Sequence, residues 1–273
     1  MKSTDSPDAT APSRTARSPE TTDHQVHRND VRERLDRVQD PELDRSIVEL
    51  QYIDRIDVDG GDVTVSFVLP TAWCSPAFAW MMATGIRDEV EALSGVTSVT
   101  VRLSDHMHAD EITEGVNRRL AYESVFEDAD DGVDDVRRKL DSKARFARQY
   151  RAIRALREAG LDPEQITSLR RGDVDLEFSS ELVALSVRDG SLTITAPREP
   201  MTEYLSKARE TGLVTDEDDR IFADREGEPL DPEPETFESA LRDARLAASN
   251  IEGQATICAS LHESRNGVSF DAD

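Results

Sequence analysis

Cysteine is scarce: Cys74 and Cys258 are the only two thiols in 273 residues. That number is too small for a disulfide framework and too small for a self-contained four-thiolate iron–sulfur site. Lysine is scarcer still than arginine, with Lys2, Lys139, Lys143 and Lys207 alone, so nearly all of the 33 positive side chains are arginine. They face 57 acids, for a net charge of −24 and a pI of about 4.6. Bulk affinity for duplex nucleic acid or for an anionic membrane needs clustered Lys and Arg, and this balance disfavours both. No apolar run approaches the ~18 residues of a spanning helix. The N-terminus also lacks the charged start and apolar stretch of a secretory signal. The expectation is a cytoplasmic protein whose cysteines stay reduced. An acid excess with few lysines is the composition of a halophilic protein kept soluble in strong brine, where salt screens self-repulsion. It speaks of habitat and says nothing of activity.

What is present divides the chain. Residues 1–28 are Ser, Thr, Pro, Asp and Arg with too little apolar surface to offset ordering, and read as a disordered tail. A first unit, residues 29–126, reads helix, strand, strand, helix, strand. Asn29 or Asp30 caps a helix through about Val38, and Asp40-Pro41 opens a second short helical piece in PELDRSIVEL. Residues 53–58 form a strand, the cluster Asp59-Gly60-Gly61-Asp62 a hairpin turn, and Val63, Val65, Phe67 and Leu69 alternate as the returning strand. Ser75 then stands as N-cap with Pro76 at the first helical position, and Phe78, Met82, Ile86, Val90 and Leu93 follow at helical spacing. Val99, Val101 and Leu103 give a third strand, after which SDHMHADEIT runs into a polar helix. Residues 127–133 are an acidic linker. The second unit, residues 134–273, reads as a long helix to about residue 159, a hairpin about Asp189-Gly190, and helices near residues 201–210 and 235–249.

A strand–helix–strand crossover within one sheet makes the flanking strands parallel, so both carboxyl ends face one edge. Cys74 follows one such end; Asp105, His106 and His108 follow the other. Ligands of open α/β sheets gather outside that edge. Cys74 also lies just before a helix N-terminus, where the dipole favours a thiolate. The competing reading is a small buried hydrophobe. For His106 and His108 the alternatives are metal ligation and a solvent-exposed loop, and Asp40-Pro41-Glu42 is also ordinary helix punctuation.

The order DPEL, then SIVEL, then a hairpin, then T-x-x-C entering a helix resembles the iron–sulfur cluster assembly domain family, the PaaD-like and Suf-associated accessory proteins. The residues that carry the likeness are Asp40, Pro41, Glu42 and Leu43, then Ile47, Val48 and Leu50, then Thr71 and Cys74. It covers residues 30–103. The family implies a small α+β domain that assembles, carries or delivers iron–sulfur clusters, with the cysteine as its thiol and without enzymatic activity. The family commonly has Pro directly after the cysteine, whereas Ser75 intervenes here before Pro76. The segments WCSPAFAWMM and SDHMHADEI are similar to a two-domain branch associated with iron-dependent monooxygenases.

The second unit carries a weaker likeness to the catalytic half of tyrosine recombinases, in LREAGLDPEQITSLRRGDVDLE and the late IEGQATICASLHESR. Its catalytic positions are altered. Asp162 stands where the first arginine would be, Cys258 and Leu261 stand at the late His and Arg, and no tyrosine follows Arg265. That implies a reused scaffold serving as a docking module. Arg145, Arg148, Arg151, Arg154 and Arg157 recur every third residue, which spirals them around the helix, and pairing with neighbouring carboxylates is the expected use. Cys258, between Ile257 and Ala259, reads as core with a ligand role as the alternative, and Trp73 and Trp80 read as packing residues, with Trp73 alternatively shielding a site or meeting a partner.

The expected fold class is therefore α+β: a small N-terminal domain with a three-stranded mixed sheet and helices, plus a mostly helical C-terminal domain with a β-hairpin. The expected function is that of a metallochaperone or accessory protein in metal–sulfur cluster biosynthesis. It would deliver iron or an iron–sulfur cluster, held transiently, to a client metalloenzyme such as an iron-dependent monooxygenase. Cys74 and His106 are the candidate metal ligands; Asp40, Glu42, Thr71 and Asp105 shape the site. The partners are the client and the cluster-assembly machinery, with a homodimer as one way to share a cluster. Two alternatives stand beside it. One is an enzyme with Cys74 as nucleophile, His106 as base and Asp105 orienting it. The other is a DNA-binding regulator built on the recombinase-like unit.

Overall fold

The computed structural model describes residues 26–127, 132–188 and 190–266. Most of the N-terminal tail, the centre of the acidic linker and Asp189 of the second hairpin lie outside them. The tail reading ends early, because Val26 is already buried and helix α1 begins at once (Arg28–Leu35). The next segment departs from expectation. Leu43, Ile47 and Leu50 are buried and helically spaced, yet PELDRSIVEL folds as successive turns around a two-stranded ladder, β1 (Gln39–Asp40) and β2 (Arg45–Ser46). Asp44, at φ +54°, and Gln51, at φ +58°, turn left-handed and break any helix.

Alternation decides the rest of this unit. β3 (Ile53–Asp59) and β4 (Asp62–Val68) pair antiparallel through the Gly60-Gly61 turn, where Gly60 takes φ +60°. Val63, Val65 and Phe67 point one way and are buried. Helix α2 (Pro76–Glu91) crosses to β5 (Ser98–Ser104), which pairs parallel with β4 from Asp62↔Ser98 to Val68↔Ser104. The expected common carboxyl edge is therefore present. Trp80, Met81, Met82, Ala83, Ile86 and Val90 of α2 are all buried, a wider face than one stripe, because α1 and helix α3 (Ala109–Asn117) pack on it besides the sheet. Each large apolar side chain so enclosed stabilises the unit by roughly 1.5–3 kcal/mol. A short helix α4 (Tyr122–Val125) closes it, with Tyr122 and Phe126 edge-on to Trp80.

The second half is mostly helical: α5 (Val133–Glu158), α6 (Pro163–Ser168), α7 (Arg198–Glu210) and α8 (Pro234–Asn266). Among the described residues its sheet is antiparallel, β6 (Val174–Asp175), β7 (Leu182–Val187) and β8 (Leu192–Pro197), built on the expected hairpin. A second hydrophobic core forms around Leu156, Ile166, Leu185, Tyr204 and Phe222. The arginines of α5 are engaged within the chain, Arg148 with Asp44, Arg151 with Glu203, Arg154 with Glu158 and Arg157 with Glu238.

Helix α8 runs 17 residues beyond the expected stop and spans about 50 Å at 1.5 Å per residue. Phe237, Ala240 and Leu241 pack in the second core, Ala248 and Ile251 against Ala147 of α5, and Ala255 and Cys258 against the N-terminal core. The two halves are also joined by a buried ion pair. Arg148 Nε and Nη2 donate to Oδ2 and Oδ1 of Asp44 at 2.6 and 2.7 Å. Among the described residues, no helix is long and apolar enough to cross a membrane.

Candidate functional site

The loop from β4 into α2 is built by local hydrogen bonds. Thr71 Oγ1 accepts the Trp73 N–H at 3.2 Å and the Thr71 carbonyl accepts the Cys74 N–H at 3.4 Å, which curls the chain back on itself before Pro76 starts the helix. Ser75 occupies the N-cap position, with its carbonyl receiving the Phe78 and Ala79 amides, but its hydroxyl makes no capping bond. Cys74 is half-buried, immediately ahead of that cap.

The loop after β5 clamps this turn from the other side of the sheet edge. His106 is buried, with Nε2 2.9 Å from the Cys74 carbonyl and Nδ1 accepting the His108 N–H at 3.1 Å. A nitrogen that accepts an amide proton is unprotonated, so Nε2 must carry the hydrogen it gives to the carbonyl. In this geometry His106 braces the backbone of the cysteine turn. The Met107 N–H adds a bond to the Ala72 carbonyl at 3.0 Å. Asp105 is exposed, in a left-handed conformation at φ +55° that turns the chain out of β5. His108 points elsewhere, 3.5 Å from Glu111 and edge-on to Phe126. Trp73 and Met107, on the two clamped loops, are exposed, Trp73 by 75%. Trp80 packs into the core as expected, whereas Trp73 does not.

The early acidic turn is organised around Asp40. Asp40 is buried; Oδ1 accepts the Glu42 and Leu43 amides at 2.9 and 3.1 Å, and Oδ2 accepts the Tyr52 hydroxyl at 3.3 Å. Burial pushes its carboxyl above the ordinary range against the pull of the two amides, and the nearby Glu42 charge adds to the rise. Burial, then the charge of Asp40, raises the Tyr52 phenol well above its usual value.

Two residues that the sequence reading did not place at the site stand here: Tyr52 and Cys258. Cys258 arrives on α8, half-buried, and its thiol is pushed up to about 11 by burial first and then by Asp40, Cys74 and Glu42. Its period along α8 was legible, since Ala255, Cys258 and His262 fall on one helical face, but nothing in the sequence named the surface that face would meet. Among the described residues no three of His, Cys, Asp and Glu are grouped to hold a metal ion. Two thiols do not fit a resident four-thiolate cluster.

No curated protein matches the chain. A family model described as iron-sulfur cluster assembly protein matches residues 28–101.

Proposed function

We propose, from the match of residues 28–101 to the iron–sulfur cluster assembly protein model, that the chain carries iron or an iron–sulfur cluster as cargo and hands it to a client metalloenzyme. The observation that supports this best is the Cys74 turn. It is held rigid by Thr71 and His106 at the sheet edge, ahead of a helix N-terminus, and its own neighbour Trp73 is bared for a partner. A helix N-terminus stabilises negative charge, which suits a sulfur that must bind as thiolate. Cys74 is the cargo ligand in this reading. Asp40, Glu42 and Thr71 shape its surroundings, His106 positions the turn, and Asp105 redirects the chain into it. The role is that of an accessory protein in the cytoplasm, with no reaction of its own. Two separate hydrophobic cores support a division into units of about residues 29–126 and 134–273, with the second read as a docking module. An iron-dependent monooxygenase is the finer client reading, supported by the likeness of the segments around Cys74 and His106, and sharing of cargo across a homodimer is compatible with two thiols per chain.

Anaerobic reconstitution with ferrous iron and sulfide tests the proposal. The full chain is expected to gain iron, sulfide and a broad absorption near roughly 400 nm, and Cys74→Ala to lose them. Equal loading of the two chains overturns Cys74 as ligand, and failure of the loaded protein to pass iron to an apo acceptor overturns delivery.

A further inference from the structure

Helix α8 turns one face inward along its length, where Ala244, Ala248, Ile251 and His262 are buried. On the opposite face stand Leu246, Asn250, Gly253, Ile257, Ser260 and Leu261, all exposed and spaced by three or four residues. Leu246, Ile257 and Leu261 are bared by 59, 61 and 44%. Between residues 246 and 264 only Glu252 and Glu263 carry charge, and both fall to one side of this strip, in a chain of which 33% is charged. A strip emptied of charge around large exposed apolar side chains has the composition of an interface centre. Its middle residue is a glycine, a weak helix former. A Cβ at Gly253 would meet nothing within 4 Å, so no close contact among the described residues accounts for it.

We propose that this face joins two copies of the chain, their α8 helices packed antiparallel about a two-fold axis beside Gly253. The strip is complementary to its own reverse. Turned end for end, Leu246 falls opposite Leu261 of the partner subunit and Asn250 opposite Ile257 of the partner subunit, and symmetry repeats each pair. Gly253 then lies at the crossing, where a missing side chain lets two backbones come close. The flanking charges fit the same arrangement. Arg245 and Glu263 are exposed and 18 residues apart, about five turns, so they lie on one line beside the strip. Neither has an opposite charge three or four residues away on its own helix. Antiparallel packing sets Arg245 against Glu263 of the partner subunit at both ends, whereas parallel packing in register sets like against like. Each copy brings a net charge of −24, so association strengthens as salt screens the repulsion. This pairing stands independently of the cargo reading.

Sedimentation of the full chain over a range of concentrations, in dilute and in molar potassium chloride, is the test. A species of twice 30.4 kDa is expected in molar salt, dissociating more readily in dilute salt. Ile257→Asp sets a carboxylate in the strip and should weaken the dimer by about tenfold or more. Its circular dichroism and melting temperature as a monomer should match the unchanged chain, because Ile257 faces away from the core. Charge reversal decides the same question with the apolar strip intact. Arg245→Glu and Glu263→Arg should each weaken the dimer, and the double variant should recover it. A monomer at every concentration and salt overturns the proposal, and so does a dimer that Ile257→Asp leaves unaltered. Failure of the double variant to recover overturns the antiparallel arrangement.

Discussion

At the scale of single residues, Asp40 has the most dependents. Three donors converge on its carboxylate: the Glu42 amide, the Leu43 amide and the Tyr52 hydroxyl. An unsatisfied buried donor costs about 1–3 kcal/mol. Asp40→Ala should therefore lower unfolding stability by roughly 2–4 kcal/mol, since part of that cost is relieved by relaxation, and Tyr52→Phe by about 1 kcal/mol. Urea denaturation followed by circular dichroism measures both. A midpoint for Asp40→Ala equal to that of the unchanged chain would show that the turn stands without its acceptor. Much of this residue-scale chemistry was legible in the sequence, because DPEL and T-x-x-C are local patterns whose hydrogen bonds reach only two or three positions along the chain. His106 was legible as a neighbour of Cys74, but its bond to the Cys74 carbonyl spans a gap of 32 residues and lay outside any local pattern.

Among elements, the packing of α2 on α3 turns on one missing methyl group. A Cβ at Gly115 would stand 2.6 Å from the Trp80 ring and 3.0 Å from Val125. Alanine is the better helix former by about 1 kcal/mol, but overpacking a core costs typically 1–3 kcal/mol. Gly115→Ala is thus expected to destabilise, and a raised melting temperature would refute the close approach. A second prediction concerns the parallel pair. Asp62 accepts from the hydroxyls of Ser98 at 2.6 Å and Thr97 at 3.0 Å, tying the start of β4 to that of β5. These bonds, that of Ser98 first, hold its carboxyl below the ordinary value. A carboxyl with a lowered folded pKa stabilises above its unfolded value of about 3.9 and ceases to as pH falls through the folded one. The gap in urea midpoint between the chain and Asp62→Ala should be open at neutral pH and close in acid; a gap constant with pH would exclude the linkage. The strands and α2 were readable from alternation and helical period. The segment after Asp40 was not, since Leu43, Ile47 and Leu50 satisfy a helical period while being placed by turns. The last half of α8 was not either, because its ordering comes from a distant core.

Over the whole molecule, two kinds of electrostatics oppose each other. The net charge of −24 repels itself and is screened by salt, so melting temperature should rise as potassium chloride is increased from dilute to molar. The Arg148–Asp44 pair is buried, with side-chain exposures of 9% and 4%, and salt reaches it poorly. Arg148→Met strands the Asp44 carboxylate inside and should cost about 3–5 kcal/mol, a loss that persists in high salt. Recovery of this variant by salt would mean that the pair is solvated after all. The sequence showed these arginines as a spiral seeking carboxylates, but which carboxylate lay 104 positions away is information that only the assembled halves contain.

The reach of α8 also sets an order in time. Cys258 is made about 180 residues after Cys74, and domains fold from the N-terminus as synthesis proceeds. On the ribosome the N-terminal unit therefore completes its sheet with a solitary sulfur at the rim, and the face that later receives α8 stays uncovered. The finished helix is as much a shield for an unfinished surface as a strut between two finished ones.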